Sequence, residues 1–319
     1  MKQRKLIFIL LLVLGVNSWI IGQENFLSAE KQVSNEILVH SGVAIQKITS
    51  VQVYTPRGSI HITNNDDLNA TFPGIGTIND PIRIEGYNIT ASSGDLIYIR
   101  DTTFYFRISN CLLNGLTTND WSIHFENVIN ATIENNHIMN TGVDGIGIYD
   151  SEYNSIVNNT ISNADKGIRL ESQSNFNILE NNTIYDSDAG IAIIDSSNNN
   201  TVINNTLFNN NDGIWLGTDF SPPPTGSNNN SICENTICNN YHGIRLQYEC
   251  NNNFLFTNTI YNNNGGGIVL RETSNNNTID NNNIYSNNRD GIEVSQSSSN
   301  NIISNQQFFR WITSFTGQI

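Results

Sequence analysis

Trp215, Arg245, Arg169, Asp195 and His242 are the side chains of this sequence whose types and spacing point to chemistry. An indole beside guanidinium and carboxylate groups is an arrangement that holds a sugar ring, by stacking on its apolar face and hydrogen bonds at its rim. Alternate residues of short strands place them: one outward column reads His124, Gly147, Arg169, Ala192, Trp215, Arg245, Val269 and Glu293. The next outward column reads Tyr149, Glu171, Ile194, Gly217, Gln247, Arg271 and Ser295. Neighbours in such a column stand about 4.8 Å apart, so Trp215 is expected between Ala192 and Arg245, with Asp195 at the edge. The proline-rich insertion Thr218–Ser227 leaves beside Trp215, and insertions that break a repeat usually lie on its binding face. The same side chains also read as solvated strand positions, with Trp215 covering a small exposed area.

Cleaving a glycosidic bond takes two carboxylates facing each other at roughly 5–5.5 or 6.5–9.5 Å. Asp195 and Asp219 are the pair that can be placed so, while Asp144, Asp188, Asp212 and Asp290 recur with the glycines and read as turn formers. No metal is expected: the His and Met residues are scattered, and Cys233 and Cys238 lack both a zinc spacing and a His pair. No cofactor is expected either.

The elements that must position these residues are written as a repeat. Glycines recur at Gly145, Gly167, Gly190, Gly213, Gly243, Gly267 and Gly291, at gaps of 22, 23, 23, 30, 24 and 24 residues. In step with them run Asn136, Asn159, Asn182, Asn205, Asn235, Asn258, Asn282 and Asn305. Apolar residues come in pairs spaced by two, such as Ile146 and Ile148 or Ile168 and Leu170, which is the strand period. Between them lie Asn, Ser, Asp and Gly clusters, which are turn chemistry. Units of this length bury an apolar face only against their neighbours. The expected fold is therefore all-β, a single-stranded right-handed parallel β-helix of about eight to ten coils with an N-terminal cap, its hand following the rule for parallel crossovers. The Asn column is expected at a corner, each amide bridging the coils on either side.

Around the repeat, Met1-Lys-Gln-Arg-Lys5 followed by an apolar run to Val16 describes an export signal or an N-terminal anchor over residues 1–22. Residues 23–56 read as a lead-in, 57–96 as the N-terminal cap and first coil, 97–305 as the β-helix repeats, and 306–319 as a C-terminal cap or a truncated end. A net charge of −14 and a pI of about 4.6 exclude nucleic acid and anionic membrane surfaces as partners. Membrane contact is expected only through an uncleaved N-terminal segment. Four cysteines, Cys111, Cys233, Cys238 and Cys250, are compatible with export, but the last three occupy different columns and no disulfide is predicted.

The D-G-I-x-I and N-x-T-I coils from about Trp121 to Asn305, preceded by Gly74-Ile-Gly-Thr77, Asp80-Pro81 and Ile82-Arg-Ile84, resemble the right-handed parallel β-helix repeat family, in its NosD-like branch of exported proteins. The resemblance implies the fold and an extracellular, cell-surface or periplasmic location. It is less specific for function, because one fold hosts unrelated activities. Members are tied to carbohydrate binding, to sugar-polymer cleavage and, in the name-giving branch, to periplasmic copper delivery. The N-T-D and R-I-K signatures of pectin-type hydrolases and a dense Asp cluster are missing here. The reading is an exported, non-catalytic module that binds a polysaccharide or surface glycan or builds the cell surface. The alternatives are a β-helix lyase, hydrolase or epimerase, and a NosD-like accessory protein for a copper site.

Overall fold

The structure is a computed structural model, and it describes residues 52–118, 120–219 and 226–308. The export signal or anchor expected over residues 1–22, most of the lead-in, and the C-terminal segment from 309 lie outside the described residues. From Val53 onward the chain forms one compact unit.

Three parallel sheets wind around a common core in a right-handed solenoid. Sheet I has ten strands, running from Ile60–Ile62 through Ile97–Thr102, Ile123–Val128, Ile146–Tyr149, Lys166–Glu171, Ala189–Ile194, Asp212–Gly217, His242–Leu246 and Ile268–Leu270 to Ile292–Val294. Sheet II has ten strands from Ile82–Glu85 to Ile302–Ser304, and sheet III has eleven from Thr55–Arg57 to Gln307–Phe308. Each coil contributes one strand to each sheet. Sheet III opens at Thr55, which pairs with Tyr87, so the last residues of the expected lead-in already belong to the coil. Among the described residues there is one helix, Asn65–Thr71, capped by the Asn64 side chain, which accepts from the Asp67 N–H at 2.9 Å. Its Leu68 joins the solenoid core.

Like stacks on like. Ile146, Ile168, Ile191, Ile214, Ile244, Ile268 and Ile292 follow one another in register, all buried. The glycines before them are required by space. A Cβ on Gly190 would stand 2.6 Å from the carbonyl oxygen of Gly213, and one on Gly167 would stand 2.6 Å from that of Gly190.

The tight corner between sheets II and III is two residues long. The first is left-handed, with φ from 52° to 56° at Asn135, Asn158, Asn181, Asn204, Glu234, Thr257, Asn281 and Asn305, a conformation Asn tolerates well. The second is the ladder Asn. Asn182 Nδ2 donates to Ile156 O at 2.8 Å and to Asn205 Oδ1 at 3.0 Å, while its own Oδ1 accepts from the backbone N and Nδ2 of Asn159, both at 3.0 Å. The bonds repeat from Asn136 to Asn282. Asn305 does not join them. The last coil is 24 residues long, like the one before it, so its ladder position falls on Gln306, whose Oε1 accepts from the Asn282 N–H at 3.1 Å, while Asn305 takes the left-handed corner.

Two further Asn columns accompany this one. Asn154, Asn177, Asn200, Asn230, Asn253 and Asn277 line the corner between sheets I and II, and Asn210, Asn240 and Asn263 the corner between III and I. A serine column, Ser151, Ser174 and Ser197, adds N–H to Oγ bonds of 3.2 Å. All four cysteines are free and buried, and Cys250 takes the place of a serine in that column.

Candidate functional site: the outer face of sheet I

Residues pointing away from the core on sheet I form a continuous face of rings and charges. Its N-terminal half is aromatic. Tyr98, His124 and Gly147 stand opposite one another on consecutive coils, with Trp121 and Tyr149 to either side. The Trp121 and His124 ring centroids are 4.3 Å apart, Tyr98 and His124 are 4.9 Å apart, and Tyr149 meets His124 edge-on at 5.2 Å. All four rings are half-buried. Gly147 leaves the room they need, because a Cβ there would stand 3.0 Å from both Trp121 and Tyr149. His124 Nδ1 lies 2.8 Å from Asp95 Oδ2, and Tyr98 donates to Glu126 at 2.6 Å. Burial first, then that bond, pushes the Tyr98 phenol up to about 12.

Asp144 lies beneath these rings, fully buried. It accepts from Trp121 Nε1 at 2.9 Å, and burial lifts its carboxyl to about 6, partly offset by Arg169 at 3.7 Å and the indole N–H. Arg169 is a hub. Its Nη2 is 2.6 Å from Glu171 and 2.8 Å from Asp219, and its guanidinium lies 5.7 Å from the Tyr149 ring centroid. Burial also raises Glu171 and Tyr149, so the Tyr149 phenol stays protonated.

The C-terminal half is closed. Trp215 stands between Ala192 and Arg245, as its spacing requires, yet it is only 8% exposed. The open indole platform expected from the sequence is therefore not there. Outward on a strand means away from the core, and Ala189, Ala192 and Ile194 form a low apolar bed on which the indole lies. Lys166 and Arg245 close over it, 5.8 and 5.1 Å from the ring centroid. Arg169, also predicted for that patch, turns toward Tyr149 instead. Arg245 is held by Asp212 at 2.5 Å. Asp212 is lifted to about 6 by burial against the pull of Arg245. His242 is buried, its imidazole lowered to about 4 by burial and by Arg245, and its Nδ1 accepts from the Gly266 N–H at 3.3 Å. Asp195 stays half-buried at the rim and accepts from the Thr218 hydroxyl at 2.5 Å.

Asp212 is not the turn former expected, and Asp144, in the bent segment before Gly145, does more than form a turn. Asp212 is a strand residue, and both carry buried carboxylates bonded to the face. The cations of the face are paired: Arg169 as above, Lys166 with Asp165 and Asp188 at 3.1 and 3.2 Å, Arg245 with Asp212, and Arg271 with Glu293 at 2.9 Å. Among the described residues no group of three His, Cys, Asp or Glu side chains is placed to hold a metal ion.

Residues 58–225 match the family described as right handed beta helix region, and residues 225–307 match the one described as periplasmic copper-binding protein (NosD). No curated protein matches the chain in sequence. Among solved structures, the chain is similar to the A-module of the mannuronan C-5 epimerase AlgE4 of Azotobacter vinelandii, with a TM-score of 0.57 at 15% identity over 83% of this chain and 91% of that one. It is also similar to the AlgE6 A-module of the same organism, with a TM-score of 0.53 at 14% identity over 81% and 90%.

Proposed function

The chain belongs to the right-handed β-helix family, and from that premise we propose that it is an exported glycan-binding module that holds an extended, neutral saccharide along the outer face of sheet I. One observation carries this reading: Tyr98, Trp121, His124 and Tyr149 bring four half-buried rings together over consecutive coils, rimmed by Asp95, Glu126 and Arg169. Rings offer apolar faces to sugar C–H groups, and the rim offers donors and acceptors to hydroxyls. Neutrality follows from charge. The Arg and Lys side chains Lys166, Arg169, Arg245 and Arg271 already hold carboxylates, so a uronate carboxylate would have to displace one of them beside buried acids. Export is supported by the basic and apolar N-terminal pattern and by the periplasmic description of the second matched family. The test is a binding screen of paired neutral and uronic oligosaccharides of equal length. The expected result is retention of neutral ones; tighter binding of the uronic partners would overturn the charge argument, and binding of none would overturn the reading.

A second reading, proton transfer at a sugar carbon, draws on the His124–Asp95 contact. In the neutral tautomer whose Nδ1–H donates to Asp95, the other imidazole nitrogen carries a lone pair, and the neighbouring Tyr149 phenol holds its proton. Incubating the chain with a polysaccharide in D2O and looking for deuterium on ring carbons separates this from binding alone.

A further inference from the structure

A second feature, on a different sheet, is independent of the sheet I face. Outside sheet II a groove of about 270 Å3 is lined by Ile78, Tyr105, Arg107, Asn130, Thr132 and Tyr153. Tyr153 forms one wall. Its ring stacks on Phe176 of the next coil, with centroids 5.1 Å apart and planes within 4°. The other ring face looks back along the column toward Asn130, one coil earlier and also in the groove.

Both rings stand where the fold does not ask for them. The column at this corner runs Asn130, Tyr153, Phe176, Asn199, Asn229, Asn252, Asn276 and Asn300, all left-handed with φ from 55° to 66°. Asn suits that conformation, whereas a bulky side chain there is an outlier. Burial does not explain the exception, since Tyr153 is 58% exposed and Phe176 44%. Strain of this kind, offset only by the stacking of the two exposed rings on each other, is a feature of functional positions.

We infer that this groove is a second glycan site, which takes one or two neutral pyranose units with the apolar face of a ring on Tyr153. The lining fits that chemistry: an exposed aromatic ring at Tyr153, an amide at Asn130 that already donates to Thr103 O at 3.1 Å and keeps its oxygen as an acceptor, hydroxyls at Tyr105 and Thr132, and a guanidinium on Arg107 whose charge is met by Glu134 at 3.0 Å. The groove lies near the lower end of ligand pockets, roughly 300 Å3, which suits a short unit or chain end rather than a long polymer.

The test uses the full chain with methyl glycosides of glucose, galactose and mannose and with maltose and cellobiose, read by saturation-transfer NMR and calorimetry. Tyr153→Asn restores the residue the column otherwise carries. It is expected to raise the melting temperature by relieving strain while weakening binding at this site by about tenfold or more; Tyr153→Phe should keep binding at this site, and in Trp121→Ala, where the sheet I face is disabled, the Tyr153-dependent binding should remain. Three results would overturn the inference. One is binding by Tyr153→Asn equal to the parent, and another is loss of all saccharide binding with Trp121→Ala. The third is sedimentation showing a dimeric parent made monomeric by Tyr153→Asn, which would assign the rings to self-association.

Discussion

The indole Nε1 of Trp121 donates to Oδ2 of Asp144 across 2.9 Å, so a ring of the outer face rests on a carboxylate with no exposure to solvent. This couples the face to pH. Burial lifts the folded carboxyl to about 6 from an ordinary value of 3.8. Between those values the folded chain holds a proton that the unfolded chain has released, so stability falls as pH rises from about 4 to about 6. The cost is fully present above that window and amounts to about 3 kcal/mol. Asp144→Asn keeps an acceptor for Trp121 and removes the charge. Denaturant unfolding should find it more stable than the parent at neutral pH and equal to it below about pH 4. A variant less stable than the parent at neutral pH would mean that the pairing with Arg169 outweighs burial.

The Asn ladder should hold the coils together unequally along the sequence. Asn182→Ala strips bonds from the buried Ile156 carbonyl and Asn159 N–H, at about 1–3 kcal/mol for each group left unsatisfied. Asn199→Ala touches an exposed left-handed corner and should cost less. Equal melting temperatures for the two variants would remove the ladder from the account of stability.

Glycine spacing offers a sharper contrast. Gly190→Ala puts a methyl 2.6 Å from the Gly213 carbonyl and 3.0 Å from Leu207, whereas Gly58→Ala enters open space. The first should lose about 1–3 kcal/mol or more and the second should be close to neutral, checked by thermal unfolding of both.

The fold was legible because the signal is repeated: Gly190 and Asn182 recur at one period for one physical reason each, close approach of backbones and satisfaction of buried amides. The columns of Asn154 and Ser174 keep the same period but went unread, because they hide among turn-forming residues of the same types. Asn305 was misassigned because the 24-residue period lands on Gln306, a Gln in the ladder position, while the Asn beside it at the left-handed corner matches the column by type. The site was harder to read. Alternation places Trp215 outward but says nothing of Ala192 and Ile194 beneath it or Lys166 across it. An Asp before Gly reads as a turn, which concealed the buried acids Asp144 and Asp212. Trp121 and Tyr98 lie in early coils of irregular length, so their approach to His124 depends on pairing that only the structure supplies.

The central claim is that the open rings around Trp121, and not the covered Trp215, hold the ligand of sheet I. Calorimetric titration of the best-retained neutral oligosaccharide against the parent, Trp121→Ala and Trp215→Ala tests it directly. Trp215→Ala should lose about 3 kcal/mol of stability as a buried side chain yet keep its affinity, while Trp121→Ala should bind at least about tenfold more weakly. Undiminished binding by Trp121→Ala, together with loss of binding in a folded Trp215→Ala, would contradict the account.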